Sequence, residues 1–144
     1  MSNTLYEVDR DRWINETVYH LREQNFNNID WDNLIEEIES MSRSDRRALL
    51  SLLTRLLEHL LKLSYWETEK TRSGNHWAAE IVNFRAQIQN QLEDSPSLGR
   101  QLEIMYDKAY PVAVKSVSKL FSLPDGAKVT LEQSLDDDWF PLEL

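Results

Sequence analysis

Nine leucines, at positions 49, 50, 52, 53, 56, 57, 60, 61 and 63, crowd into one short stretch of the chain. Wound into a helix they cover about half the circumference, a face too wide for one neighbour to bury. The helix that carries them must lie centrally and touch at least two others. Ser51, Arg55, Glu58 and Lys62 make the narrow polar strip that remains. With its charges, the run from Ala48 to Leu63 is too short and too polar to span a bilayer.

The rest of the chain is patterned in the same way. Only three glycines and four prolines punctuate 144 residues, which favours long helices over many short strands. Tyr6, Trp13, Ile14, Thr17, Val18 and Leu21 share one helical face, predicting a first helix from about Tyr6 to about Gln24. Asp30 is a natural N-cap for a second helix carrying Trp31, Leu34, Ile35, Ile38 and Met41 at helical spacing. The segment Met41–Asp45 reads either as a restart capped by Ser42 or as uninterrupted helix. The length of an unbroken run to Trp66 favours a break there.

Glu67 to Asn75 is polar, contains Gly74 and reads as a connection. Trp77, Ile81, Phe84, Ile88 and Leu92 form the next apolar seam. Ser95-Pro96 then supplies a cap and a first-turn proline. Leu98, Leu102, Met105, Ala109, Val112 and Val117 line the helix that follows, with a kink expected just before Pro111. Thr130 and Gln133 spell a capping box for a short helix from Leu131. The expectation is an all-α, single-domain bundle over residues 1–144, with four to five main helices and a short C-terminal helix.

Several of these runs occur together in one known family. WDNLIEEIESM (Trp31 to Met41), HLLKL (His59 to Leu63), the helix bearing Trp77, Arg85 and Ile88, SPSL (Ser95 to Leu98) and TLEQSLDDDWFP (Thr130 to Pro141) follow one another in its order. The chain resembles the domain-of-unknown-function 29 family, common in cyanobacteria, over nearly its whole length. One departure is the short stretch from Asp125 to Val129, where the family often carries more residues and further prolines. The resemblance implies an all-helical domain and brings no activity and no catalytic residues with it.

Charge and composition bound the function. A net charge of −9 opposes binding to nucleic acid by phosphate neutralisation. It favours solubility and a cationic partner. No cysteine is present, which removes disulfides and thiolate metal sites and fits a reducing compartment. Met1 to Trp13 carries five charged residues and no apolar signal core, so a cytoplasmic location with no membrane attachment is expected. P-loop, dinucleotide-binding and serine-elbow motifs are all missing.

Three groups of residues stand out as candidates. Asp32, Glu36 and Glu39 form an acidic stripe at i, i+4, i+7, with His59 as a further ligand or helper. Carboxylates so gathered suit a hard divalent cation; the alternatives are ion pairing, as of Glu39 with Arg43, and a plain solvated face. Arg43, Arg46 and Arg47 make a compact basic cluster for an acidic partner or for pairing with nearby acids. Trp139 and Phe140, in an acidic tail, either fold back on the bundle or dock a partner.

The leading expectation is a small acidic interaction module that neutralises a basic protein partner, with no cofactor. A carboxylate-based divalent-metal protein or enzyme is the alternative. A homodimer through the wide leucine face is the third reading.

Overall fold

A computed structural model describes residues 4–141. Every regular element among them is helical: α1 (Leu5–Val8), α2 (Arg10–Arg22), α3 (Trp31–Tyr65), α4 (Glu67–Asp94), α5 (Leu102–Val117) and α6 (Leu131–Leu135). Short 3₁₀ turns occupy Phe26–Asn28 and Pro96–Gln101. The chain divides into two compact units, Met1–Asp45 and Arg46–Leu144.

In the first unit the predicted opening helix is split at Asp9. Its carboxylate accepts the Arg12 amide at 3.1 Å and so caps α2 rather than continuing α1. α2 ends in a left-handed residue, Gln24 at φ 58°, with the Asn25 amide closing on the His20 carbonyl at 2.8 Å. Asp30 caps α3 as the sequence suggests, accepting from the Asn33 amide at 3.4 Å and side chain at 2.6 Å. Tyr6 and Arg10 both donate to Oε1 of Glu37, at 3.0 and 2.9 Å. Trp13 is buried with its ring edge-on to Tyr6 at 4.6 Å.

α3 runs unbroken through Met41–Asp45, against the expected bend. That segment holds no glycine or proline, and Ser or Asp inside a helix costs under about 0.7 kcal/mol each.

The second unit is built on the leucines. Leu49, Leu53, Leu56, Leu57, Leu60 and Leu61 are fully buried. They pack with Trp77, Ile81, Phe84 and Ile88 of α4 and with Met105, Ala109, Ala113 and Val117 of α5. Each such leucine contributes about 1.5–3 kcal/mol by leaving water. The face expected to need two partners finds α4 and α5.

The polar stretch after Trp66 is helix, not connection. Glu67 pairs with Lys70 at 3.7 Å, and Ser73 donates to Glu69 at 2.8 Å. Gly74 is buried within α4, and its poor helix propensity, about 1 kcal/mol, does not break a helix of this length. Trp66, the single residue between α3 and α4, is stacked 5.6 Å from Trp77 and 5.0 Å from Phe121. Pro96 opens a 3₁₀ turn before α5, and α5 continues through Pro111. Val112, expected inside, is exposed; Ala113 takes the buried place.

Three tyrosines fix the chain after α5. Tyr106 donates to the Val129 carbonyl at 2.6 Å, Tyr110 accepts the Val129 amide at 3.3 Å, and Tyr65 accepts the Lys128 amide at 3.0 Å. The short Asp125–Val129 stretch thus delivers Val129, fully buried, and the Thr130 capping box with both of its bonds, at 2.9 and 3.1 Å.

The two units differ most in what they leave outside. Ile14, Val18 and Leu21 of α2, and Trp31, Ile35, Ile38 and Met41 of α3, were expected to be covered and are 37–59% exposed. Two helices and a single turn are too small to enclose both apolar faces. Leu57→Ala should therefore cost about 2–5 kcal/mol in urea or thermal unfolding. Ile35→Ala should change stability by no more than about 0.5 kcal/mol.

Candidate functional site

The acidic stripe sits on the first two turns of α3. Asp32, Glu36 and Glu39 are all exposed, and Glu36 binds Arg43 at 3.3 Å. Arg43 thus pairs two turns back rather than with Glu39. His59 belongs to the second unit, where Nδ1 donates to the Arg55 carbonyl at 2.9 Å and the ring lies edge-on to Phe84 at 5.1 Å. Among the described residues, no three or more histidine, aspartate or glutamate side chains are gathered so as to hold a metal ion. Asp32, Glu36, Glu39 and His59 are accordingly not brought together.

Arg43, Arg46 and Arg47 all lie on α3, and the boundary between the two units falls after Asp45, between Arg43 and Arg46. Trp139 and Phe140 are half-buried and pack against the leucine core, so both rings fold back on their own unit.

Phe140 leads to Arg85, the one buried charged side chain among the described residues. This residue is 4% exposed on the inner side of α4. Nε donates to the Ser134 carbonyl at 2.7 Å and Nη2 to the Gln133 carbonyl at 3.0 Å. These are last-turn carbonyls of α6, which have no partner inside so short a helix. The guanidinium also sits 5.0 Å from the centre of the Phe140 ring. Burial pulls Arg85 below its ordinary pKa, and the nearby carboxylates of Asp137 and Asp136 act the other way. Nη1 is buried and has no hydrogen-bond partner among the described residues.

Two adjoining clefts share Arg85, Gln89 and Asp137. One, of about 350 Å³, is walled by Ile88, Leu92 and Leu135; the other, of about 300 Å³, by Val82 and Ala86. A third, of about 400 Å³, lies where α5 meets α6 and is lined by Glu103, Tyr106, Asp107 and Glu132 among others.

The first unit carries a different kind of surface. Trp31, Ile35, Ile38 and Met41 recur every three to four residues and lie open. Asp32, Glu36 and Glu39 run along one edge of that line. Eleven acidic and four basic side chains, a net −7, fall within Met1–Asp45, out of −9 for the whole chain. Sequence reasoning found these positions but assigned them to a core. The missing signal was the number of neighbours available to cover them. Arg85 was passed over as a site, although it stands four residues after Ile81 and three before Ile88, in apolar phase.

His59 yields a pH prediction. Burial lowers its pKa from 6.5, while the backbone bond to Arg55 works in the opposite direction. The folded state then binds this proton less readily than the unfolded state. Its contribution to stability is whole above the ordinary histidine value and is lost as pH falls below it. NMR titration should place the His59 ring below 6.5. His59→Gln should flatten the fall in melting temperature between about pH 7 and pH 5. A ring titrating at or above the ordinary value would contradict this.

No helix among the described residues is long and apolar enough to cross a membrane. No curated protein and no solved structure matches the chain. One family does: its pattern, described as "Domain of unknown function DUF29", matches residues 5–140. With nearly the whole chain matched, and with every described element helical as the shared motifs imply, the protein belongs to the DUF29 family.

Proposed function

We propose that the protein is an interaction module whose first unit docks a basic protein partner. The observation that carries this reading is the open apolar line of Trp31, Ile35, Ile38 and Met41 in a unit of net charge −7. Exposed apolar surface bordered by charge is the usual composition of a docking site. The carboxylates that flank the line select a cationic partner and repel an acidic one. A basic amphipathic helix satisfies both demands, laying its apolar side on Ile35 and Ile38 and its lysines or arginines against Asp32 and Glu39. Repulsion between two acidic units disfavours a second copy of this chain as the occupant.

The test uses the full chain as bait in its native cell, at native expression and low salt. A stoichiometric basic partner should be retained. Ile35→Asp with Ile38→Asp, both at exposed positions, should release it, weakening binding about a hundredfold. Raised salt should weaken capture further. Absence of a stoichiometric partner would contradict the proposal, as would capture indifferent to both changes. A dimer of this chain in light scattering, abolished by the same substitutions, would assign the surface to self-association instead.

A further inference from the structure

α2 leaves an apolar face open as well. Ile14, Val18 and Leu21 are each 37–38% exposed, beside Trp13 and Thr17, which are buried. Trp13 leans on Tyr6, and Tyr6 with Arg10 holds Glu37, so the buried side of α2 is turned toward α3. Residues 23–30 turn the chain back, and Arg10 in the first turn of α2 reaches Glu37 in the second turn of α3. The two helices are therefore antiparallel. Leu21, Ile14 and Val18 stand about 80–140° beyond Trp13 on the wheel of α2, at 100° per residue. Ile38, Trp31 and Ile35 stand about 100–160° beyond Glu37 on α3, in the same rotational sense. In an antiparallel pair that common rotation brings both open faces to one side. Phe26, in the turn between the helices, is itself exposed with its ring 6.4 Å from Trp31, and it carries the apolar surface across.

Given a first unit that docks a basic partner, the reading on which this rests, we propose that α2 and α3 form one platform and seat a single helix of that partner. The occupant is the third member of a three-helix layer whose other two are already in place. The described elements are all helical and offer no sheet edge to an extended peptide, whereas a helix satisfies its own backbone bonds and has only an apolar stripe to bury. Charge orients it. The far edge of α3 carries Asp32, Glu36 and Glu39, while the far edge of α2 carries Asp11 and Arg22, which are of opposite sign. The occupant's cations lie along α3, and its edge over α2 is neutral. Trp31 to Met41 spans about 15 Å, so about three turns of helix cover the platform.

The experiment is an amide NMR titration of the full chain with a synthetic helical peptide of about 18 residues, bearing leucines at helical spacing, lysines along one edge and glutamines along the other. The peptide should bind saturably at about 10–100 µM and shift Ile14, Val18 and Leu21 together with Ile35 and Ile38. With glutamates in place of its lysines it should bind about tenfold more weakly or worse. Val18→Asp with Leu21→Asp should weaken binding about tenfold, as should Ile35→Asp with Ile38→Asp. Val82→Asp with Val112→Asp, at exposed positions of the second unit, should leave it unchanged. The shifts in the unaltered chain answer independently should a variant lose its fold. Shifts confined to α3, with the α2 variant binding as tightly as the unaltered chain, would overturn the platform and leave the docking role of α3 standing. No saturable binding, or equal binding of the glutamate peptide, would overturn the proposed occupant, and capture from the native cell then judges the docking role by itself.

Discussion

Burial of the leucine half-cylinder of α3 is the interaction on which the rest of the structure depends. From Leu49 to Leu63 the helix presents apolar side chains over an arc that neither α4 nor α5 could cover alone. Both are recruited, and the remaining features of the second unit serve that closure. Trp66 stacks at the hairpin between Trp77 and Phe121. Tyrosines 65, 106 and 110 hold the backbone that inserts Val129. Arg85 ties α6 and the tail to α4. A buried cation adds little net stability once desolvation is counted. Its geometry instead fixes where the C-terminal segment must lie.

The same helix has a different character before Arg46. There a polar latch ties it to α1 and α2, with Tyr6 and Arg10 both donating to Glu37, and the Trp31 ring lies 6.4 Å from that of Phe26. The first unit therefore combines weak enclosure, open apolar surface and most of the chain's negative charge. A unit that gains little from its own packing has free energy to gain by packing on something else. This is the physical basis for reading it as a docking surface.

Much of the fold was legible because helix patterning and capping are local. The leucine arc announced its central place, and Asp30 and the Thr130–Gln133 pair marked helix starts by side chains that reach only three residues. The errors share one cause. Polarity near Ser42 and in Glu67–Asn75 suggested breaks, yet neither stretch contains proline, and a single glycine, Gly74, is too weak a breaker to end a helix as long as α4. Ile35 and Ile38 have the periodicity of a buried face, and periodicity cannot say whether a cover exists. Arg85 was visible only as a charge in apolar phase; its partners lie about fifty residues away in sequence, at Gln133 and Ser134.

Native-state hydrogen exchange along α3 tests the central claim most directly, because one continuous helix carries both regimes. Amides from Leu53 to Leu63 should exchange only through global unfolding, with one shared free energy and denaturant dependence. Amides from Leu34 to Asp45 should open at markedly lower free energy while the leucine segment stays closed. Equal protection along the whole of α3 would show that the first unit is as firmly enclosed as the second, and would contradict the account.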